Sequence, residues 1–331
     1  MTYRATISAA AHYLPRRIVT NAELEKTVKT NDEWIRSRTG IAERRMVAED
    51  EATSHMGINS AVQILEKTGI NAAEIEVIIV GTVTPDMFFP STAALVQDAI
   101  GADNAWAFDL NAACSGFIFS LETAAGLIAS GNYQKILVIG GDTMTSVLDY
   151  EDRTTCILFG DGAGAVLLEP TDGEDGIIDS IMFTDGSGGS RLYMPAGGSR
   201  RPATRETVDQ RLHYLKQDGR EVFKSAVRGM VDASEILLSR NGLSGNDLKL
   251  FIPHQANKRI IDASAKRLGL NEEQVLVNIE RVANTTAGTI PIGLSEAVAD
   301  GRLKEGDFLL LAAFGAGFTW GATLIRWGQC R

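Results

Sequence analysis

The chain of 331 residues is long enough for two domains or for one duplicated unit. With 44% hydrophobic and 22% charged residues it has the composition of an ordinary globular protein, and its net charge of −10 argues against a general nucleic-acid role. No apolar run approaches the ~20 residues that a membrane span needs, and the N-terminus leads into a strand instead of a signal peptide.

Three cysteines, Cys114, Cys156 and Cys330, occur without a CxxC motif or a Cys/His cluster. This usage predicts neither a disulfide framework nor a metal site, and it fits a reducing compartment. We therefore expect a cytoplasmic protein, with Cys156 and Cys330 in structural positions.

The first half of the chain predicts alternating strands and helices. Apolar runs indicate strands at 5–11, 75–80, 105–110, 136–139 and 165–169. Helical spacing indicates helices at 21–28, capped by Asn21, at 53–67, at 91–100, capped by Ser91, and at 115–128.

Residues 31–41 bring an aromatic side chain and two arginines close together. Trp34 can stack on a flat base, and the planar guanidinium groups of Arg36 and Arg38 can bind phosphate. The alternative is a helix end with solvated charges, which is the simpler interpretation of this stretch by itself.

Two loops of the sequence are unusual. The loop at 82–90 carries the adjacent pair Phe88 and Phe89 between two prolines, so it is expected to pack against another surface. The stretch at 185–205, rich in Gly, Ser, Pro and Arg, is expected to be a long surface excursion.

Cys114 lies between the strand predicted at 105–110 and the helix at 115–128. Free backbone N–H groups and the dipole at a helix N-terminus favour a thiolate, and small neighbours such as Ala113 and Gly116 leave room for a substrate. The alternative is a small buried apolar cysteine, which is the common situation.

The glycine-rich stretch at 159–165 has the composition of a dinucleotide-binding loop. A strand follows these glycines, whereas the dinucleotide motif needs a helix in that place. We therefore interpret the stretch as a tight turn with close backbone packing.

The second half predicts a similar series of elements. Helices are indicated at 220–240, 258–268 and 290–299, and strands at 248–252, 275–279, 308–314 and 319–327. His254 follows the first of these strands, and Asn284 lies in a polar turn at 283–288.

The two halves repeat each other. The segment from Cys114 to Gly131 matches the segment from Asn284 to Gly301 at an offset of 170 residues (284 − 114 and 301 − 131). The strand at 75–80 likewise matches residues 248–253 at an offset near 173 (248 − 75). A duplicated α/β unit about a pseudo-twofold axis would bring Cys114, His254 and Asn284 together, each in a loop just past a strand.

Four motifs carry a resemblance to a known family. They are Ala-Cys-Ser-Gly-Phe at 113–117, Pro-His-Gln-Ala-Asn at 253–257, Ala-Asn-Thr-Thr-Ala at 283–287 and Gly-Ala-Gly-Phe-Thr-Trp-Gly at 315–321. In this order they resemble β-ketoacyl-acyl carrier protein synthase III, the initiating condensing enzyme of bacterial-type fatty acid synthesis in the thiolase superfamily. The resemblance covers essentially the whole chain.

The resemblance implies an α/β fold of the thiolase-like five-layer αβαβα type. Its N-terminal half, 1–170, would carry the cysteine, and its C-terminal half, 171–331, would carry the histidine and the asparagine. It also implies a homodimer that uses an acyl-CoA primer and a malonyl-acyl carrier protein, with the coenzyme A thioester as a substrate and with no cofactor or metal.

The resemblance gives Cys114 the role of nucleophile, which accepts the acyl group. His254 Nε2–H and the amide of Asn284 would stabilise the enolate that forms when the malonyl thioester loses CO2. The backbone amides of Cys114 and Ala316 would hold a second oxyanion; the family more often has glycine at the latter position, which leaves the amide in place. The alternatives are a satisfied core histidine and a simple Asx turn at Asn284.

The resemblance also assigns binding residues. Trp34, Arg38 and Arg153 would contact the nucleotide end of coenzyme A, and Gly219 and Asn257 would line the pantetheine tunnel. Phe314 would lie at the tunnel base, and Phe89 would cross the dimer to close the partner's acyl pocket. A rigid ring there excludes volume, so we expect a short primer, acetyl-CoA first and propionyl-CoA next.

A local basic cluster in this acidic protein is expected to dock the acidic carrier protein. The expected docking surface comprises Lys224, Gln255, Ala256, Asn257, Lys258, Arg259, Lys266 and Arg267. Arg259 and Lys266 are about two helical turns apart and share a face. The alternative is a solvated helix face on which Asp262 pairs with one of these two residues.

Other classes of protein share parts of this pattern. A chalcone-synthase-like polyketide enzyme also uses Cys, His and Asn but is usually longer, and a condensing enzyme of a secondary pathway would look nearly the same. A papain-like hydrolase pairs the same residue types, but the duplicated pattern argues against it. A non-catalytic scaffold of this fold would be expected to lose Cys114 or His254.

Overall fold

The computed structural model describes residues 4–330. Its strands are β1 (Arg4–Tyr13), β2 (Arg17–Thr20), β3 (Glu43–Met46), β4 (Val77–Gly81), β5 (Trp106–Leu110), β6 (Ile136–Asp142), β7 (Gly162–Thr171), β8 (Gly176–Thr184), β9 (Leu192–Tyr193), β10 (Lys216–Gln217), β11 (Leu248–Pro253), β12 (Phe308–Gly315) and β13 (Thr319–Arg326). Its helices are α1 (Asn21–Leu24), α2 (Asp32–Thr39), α3 (Thr53–Thr68), α4 (Thr92–Ala99), α5 (Gly116–Ala129), α6 (Arg205–Asp209), α7 (Gly219–Arg240), α8 (Lys258–Arg267), α9 (Ile279–Val282) and α10 (Thr289–Ala299). None of these helices is both long enough and apolar enough to cross a membrane.

Two sheets of similar topology form the framework. The larger has the strand order β1-β7-β6-β4-β5, and the smaller has the order β11-β12-β13-β8. In the larger sheet β4 is parallel to β6, which is antiparallel to β7; in the smaller, β11 is parallel to β12, which is antiparallel to β13. This matched order agrees with a duplicated α/β unit. We propose that the two halves divide at 170/171, and both sheets pack against the helices that lie between them.

The elements stack in five layers. Helices α3 and α4 cover the outer face of the larger sheet, α5 and α10 lie between the sheets, and α7 and α8 cover the outer face of the smaller sheet. Strand β4 shows why, since Val77 and Ile79 face the central core whereas Ile78 and Val80 face the outer one. The expected five-layer αβαβα architecture is confirmed.

The structural repeat differs in detail from the offset read along the sequence. The first residues of α5 and α10 are 173 positions apart (289 − 116), whereas Gly131 and Gly301, both left-handed, are 170 apart (301 − 131). Helix α10 has 11 residues and α5 has 14, which accounts for the difference. Cys114 and Asn284 therefore lie in equivalent turns, but Ala287 occupies the position that matches Cys114.

One predicted helix, at 21–28, is wrong in part, since α1 ends at Leu24. Thr20, not Asn21, caps α1 by accepting a hydrogen bond from the Glu23 backbone. Asn21 is the first residue of α1 and is buried. Its Nδ2 donates a hydrogen bond to the Ile41 carbonyl, and its Oδ1 accepts one from Arg44, so neither atom caps the helix.

Two of the predicted strands also differ. Residues 275–279 form a single bridge, Phe251 to Val275, and then enter α9. Strand β5 forms, but it lies at the edge of the larger sheet and is half-buried, with Trp106 43% exposed. An apolar run alone does not distinguish an edge strand from a central one.

Candidate active site

Cys114 lies in a turn where the two halves are in direct contact. It belongs to the 3-10 turn Ala113–Ser115, directly before α5, and Ala113 has a left-handed φ of 49°. The end of β12 contacts this turn, because a Cβ on Gly315 would lie 2.7 Å from the backbone nitrogen of Cys114. Only glycine fits at that point, and the contact brings Ala316 to the same cavity as Cys114.

The state of the Cys114 thiol differs from the expected thiolate. Burial, and after it the negative charge of Asp142, raises the pKa of this thiol to about 12, while a backbone hydrogen bond acts in the opposite direction. Loss of water around the buried sulfur outweighs the effect of the helix N-terminus on the thiol pKa. The thiol is therefore neutral at neutral pH.

His254 follows β11 and is held on both sides. Its backbone N–H donates to the Ala312 carbonyl at 2.8 Å, and its Nδ1 lies 2.7 Å from Thr289 Oγ1. Nε2 forms no hydrogen bond with residues 4–330. Complete burial lowers the pKa of His254 to about 3, so the imidazole is neutral.

Asn284 forms the Asx turn that sequence reasoning offered as the alternative to a functional role. Its Oδ1 accepts a hydrogen bond from the Thr286 backbone at 2.8 Å. This bond fixes the side-chain amide and leaves Nδ2 without a partner in the described part of the chain. The turn is anchored further by Asp142, which is buried and accepts from the hydroxyl of Thr286. The Asx turn thus presents a free donor, and the two interpretations are compatible.

Two cavities meet at Cys114. The narrow cavity, about 80 Å³, is lined by Cys114, His254, Asn284 and Phe314, together with residues of α7 and of the start of α8. The wide cavity, about 410 Å³, is lined by Cys114 and Ala316 and by mainly apolar side chains. The three expected catalytic residues are therefore brought to one cavity, and the second cavity gives the sulfur an apolar side pocket.

Comparisons with known proteins identify the family. Residues 108–186 match 3-oxoacyl-[acyl-carrier-protein] synthase III, and residues 238–327 match its C-terminal region. The protein of Koribacter versatilis named beta-ketoacyl-[acyl-carrier-protein] synthase III is 56% identical over 98% of both chains. The one of Solibacter usitatus is 57% identical over 98% of this chain and 99% of its own. The crystal structure of 3-oxoacyl-[acyl-carrier-protein] synthase III from Aquifex aeolicus superposes with a TM-score of 0.90 and 42% identity, covering 98% of this chain and 100% of the other.

This chain belongs to the β-ketoacyl-acyl carrier protein synthase III family. It is accordingly an acyltransferase of the condensing type. Family and fold exclude the papain-like and scaffold alternatives, and a synthase III of a secondary pathway stays open. Within the described residues no group of three or more His, Cys, Asp or Glu side chains could hold a metal ion.

Three residues of this synthase that are expected to hold coenzyme A, Trp34, Arg38 and Arg153, lie on or against helix α2. The guanidinium carbon of Arg153 lies 5.1 Å from the ring centroid of Trp34, a cation–π distance. Arg38, on the same helix as Trp34, is exposed, and its carbonyl accepts a bond of 3.1 Å from Asn257 Nδ2. One aromatic ring and two exposed cations thus lie within one region, and their role in binding coenzyme A stays a prediction.

The two residues expected along the pantetheine tunnel both line the narrow cavity. Gly219 is the first residue of α7. Asn257 uses its side chain structurally, since Oδ1 caps α8 through the Arg259 backbone at 2.9 Å while Nδ2 binds α2. Asn257 would therefore contact a ligand in the tunnel by van der Waals packing, because both polar atoms of its side chain are already hydrogen-bonded.

The acyl-pocket residues of the synthase have different environments. Phe314 is 4% exposed and lines the narrow cavity with the three catalytic candidates. Phe89 is 85% exposed and lines neither cavity of this chain. A capping role for Phe89 therefore requires a second copy of the chain.

The expected docking surface needs one correction. Gln255 is fully buried, where its amide donates to the carbonyls of Pro253 and Leu276, so no atom of it is left for a docked protein. Asp262 pairs with Lys258, and not with Arg259 or Lys266 as the alternative supposed. The exposed residues of this surface are Lys224, Arg259, Lys266 and Arg267, and the half-buried ones are Ala256, Asn257 and Lys258. Arg267 forms an ion pair of 3.6 Å with Asp232.

Sequence reasoning missed three parts of the site. Thr289 contacts His254 but occupies an ordinary helix start in the sequence. Phe223 lines the narrow cavity under Arg259, whose guanidinium carbon is 5.5 Å from the ring centroid, yet it reads as one more apolar residue of α7. Residues 192–194 of the long excursion line the wide cavity, which no local pattern could indicate.

Proposed function

We propose that this enzyme condenses a short acyl-CoA primer with malonyl-acyl carrier protein and so initiates fatty acid biosynthesis. The products are a 3-oxoacyl-acyl carrier protein, coenzyme A and CO2. The observation that carries the proposal is the narrow cavity shared by Cys114, His254 and Asn284, because it combines a thiol with two neutral hydrogen-bond donors.

In the first half-reaction the sulfur of Cys114 attacks the carbonyl carbon of acyl-CoA. The new sulfur–acyl bond replaces the bond to the coenzyme A sulfur, and the thiol proton leaves with coenzyme A. Because burial raises the pKa of the free thiol, its proton leaves during the attack and not before it. The backbone N–H groups of Cys114 and Ala316 would stabilise the oxyanion.

In the second half-reaction the malonyl thioester loses CO2 in the same cavity. The electrons of the broken carbon–carbon bond form an enolate, whose oxygen would accept hydrogen bonds from His254 Nε2 and Asn284 Nδ2. The enolate carbon then attacks the acyl carbonyl on Cys114, a carbon–carbon bond replaces the carbon–sulfur bond, and the sulfur leaves as a thiolate that takes up a proton from solvent. Burial keeps the imidazole neutral, which lets it serve as a donor without a buried charge.

We also propose a cytoplasmic homodimer without a cofactor. Strand β5 lies at a sheet edge, where stacked Trp106 and Phe108 are partly exposed. Exposed edges invite pairing with another chain. Phe88 and Phe89 are more than 80% exposed, which a monomer would leave as an apolar patch.

The proposal is tested by following both reactions with purified protein, acyl-CoA and malonyl-acyl carrier protein. We expect carbon–carbon bond formation, with one CO2 released for each 3-oxoacyl product. Thioester hydrolysis without a condensed product would overturn the proposed function.

Charge reversal on the docking surface should affect one substrate only. We expect Lys266→Glu and Arg259→Glu to slow condensation with the malonyl carrier protein and to leave acylation by acyl-CoA nearly unchanged, because only the acidic partner meets this face. The defect should shrink as salt rises, since screening also weakens the original enzyme. Steady-state kinetics at several salt concentrations measures both effects.

Lys304→Glu is the matched control for this charge reversal. Lys304 is exposed and precedes β12, at the end of the smaller sheet opposite to His254. It should behave as the original enzyme. Equal losses of both reactions in Lys266→Glu would contradict the docking role, whereas such losses in Arg259→Glu alone would point to its contact with Phe223.

The length of the primer should depend on Phe89. We expect the original enzyme to prefer acetyl-CoA and then propionyl-CoA, and Phe89→Thr to accept chains several carbons longer, because overpacking by extra methylenes costs roughly 1–3 kcal/mol. That cost corresponds to about ten- to 200-fold discrimination. The mass of the protein after incubation with a panel of acyl-CoA thioesters measures the acyl group taken up.

Phe88→Thr is the matched control for Phe89→Thr, since Phe88 precedes Phe89 and is similarly exposed. It should retain the short-primer preference, and a change in Phe88→Thr alone would shift the capping role by one residue. A preference of the original enzyme for octanoyl or longer primers would rule out capping by either ring.

A further inference from the structure

Thr289 shares a buried contact with His254 that the proposed chemistry has not yet used. It is the first residue of α10 and is fully buried. Its Oγ1 lies 2.7 Å from Nδ1 of His254 and 3.1 Å from the carbonyl oxygen of Thr286. A hydroxyl has one proton, so it can donate to only one of these two acceptors.

The choice decides which nitrogen of His254 carries the proton. If the hydroxyl donates to Nδ1, the neutral ring must carry its proton on Nε2. If the hydroxyl donates to the Thr286 carbonyl, Nδ1 must be the donor, and Nε2 is left with a lone pair. An enolate can be stabilised by the first tautomer and not by the second.

The distances favour donation to Nδ1. The contact to Nδ1 is the shorter of the two, 2.7 Å against 3.1 Å to Thr286. A length of 2.7 Å is typical of a bond with an O–H donor, whereas bonds with an N–H donor are centred at about 2.9–3.0 Å. The Thr286 carbonyl also already accepts a hydrogen bond from the backbone N–H of Thr289. It therefore does not need the hydroxyl proton.

The position of the hydroxyl is itself constrained. A threonine in a helix often turns Oγ1 back toward the carbonyl three residues earlier, which here is Thr286. This rotamer holds the hydroxyl against His254, whose backbone is fixed at the end of β11 by the Ala312 carbonyl. Both partners of the contact are thus immobilised by the fold.

We propose that Thr289 is a positioning residue that fixes His254 as the Nε2–H tautomer through a hydrogen bond to Nδ1. The proposal rests on the proposed function for the role of that proton, which is donation to the enolate. A neutral histidine can carry its proton on either nitrogen, so the hydrogen bond at Nδ1 decides which tautomer is present.

The direct test is the tautomer of His254 in the full-length protein labelled with ¹⁵N-histidine. The chain has 4 histidines, and the resonances of His254 are those that disappear in His254→Ala. We expect the Nε2 shift of a protonated nitrogen and the Nδ1 shift of an unprotonated one, unchanged between about pH 6 and 8. A protonated Nδ1 in the original enzyme would overturn the proposal, whatever the enzyme's activity.

The kinetic test compares Thr289→Val with Thr289→Ser. Valine keeps the shape and removes the hydroxyl, so we expect mixed tautomers and a fall of about three- to tenfold in decarboxylation of the malonyl thioester, the value of one hydrogen bond. Acylation of Cys114 should change less than about twofold. Serine should restore both the tautomer and the decarboxylation rate.

Thr285→Val is the matched control, because Thr285 is equally buried and its hydroxyl has no hydrogen-bond partner among residues 4–330. It should decarboxylate at the original rate. Equal loss in Thr285→Val and Thr289→Val, or full activity in Thr289→Val, would overturn the positioning role. If Thr289→Val does not fold, the tautomer of the original enzyme still decides. If that tautomer is as expected but no malonyl thioester is decarboxylated, the proposed function fails and the tautomer assignment stands.

Discussion

Cys114→Ser is expected to abolish formation of the acyl-enzyme. A serine hydroxyl has a far higher pKa than a thiol, and the buried site that raises the thiol pKa to about 12 would raise that of the hydroxyl as well. Intact mass measured after incubation with acetyl-CoA should show no adduct. Decarboxylation of the malonyl thioester should persist, because His254 and Asn284 are unchanged.

Cys156→Ser is the control for this experiment. Cys156 is buried, and it lines neither the narrow nor the wide cavity. This variant should take up one acyl group as the original enzyme does. A stable adduct on Cys156 or Cys330 in the Cys114→Ser protein would contradict the assignment of the nucleophile.

His254→Ala and Asn284→Ala are each expected to lower condensation by about 10²–10³-fold. Each change removes one donor to the enolate oxygen, and losses of that size are typical for single oxyanion donors. Acylation of Cys114 should continue in both variants, so the adduct mass should be unchanged. Rates of CO2 release and of product formation measure the loss.

His55→Ala is the control for the histidine variant. His55 is exposed on α3, in the outer layer of the fold, and it should condense at the original rate. If His254→Ala or Asn284→Ala condensed as fast as this control, that residue would not be a donor to the enolate. Loss of acylation together with condensation would instead indicate a damaged cavity.

The convergence of Cys114, His254 and Asn284 could be predicted from the sequence because the two halves repeat each other at a nearly constant offset. Cys114, His254 and Asn284 each follow a strand, and the duplicated halves determine which strand ends meet. The resemblance then added roles that spacing alone does not supply. Nothing in this reasoning required knowledge of side-chain contacts.

The states of Gln255 and Cys114 were not predicted from the sequence, because both are determined by burial. The amide of Gln255 reads as an exposed polar group beside a basic helix, yet it satisfies carbonyls inside the protein. The Cys114 thiol reads as activated by a helix end, yet loss of water dominates its pKa. Burial is a property of the assembled layers, and no local pattern reports it.

The contact between Thr289 and His254 was missed for a different reason. Its members are 35 positions apart, and neither residue type is unusual where it stands. Asn284 shows the converse, since the Asx turn given as the alternative to a functional role is present and is compatible with such a role. A structural bond on Oδ1 is what leaves Nδ2 available.

The narrow cavity has a kinetic consequence. His254 and Asn284 line this cavity together with Cys114, whereas the wide cavity on the other side of Cys114 has room for an acyl chain. Both thioester substrates of the proposed reaction would then enter by one route and compete for it. Excess acyl-CoA should therefore act as a competitive inhibitor against the malonyl carrier protein, and turnover should pass through a maximum as the primer concentration rises.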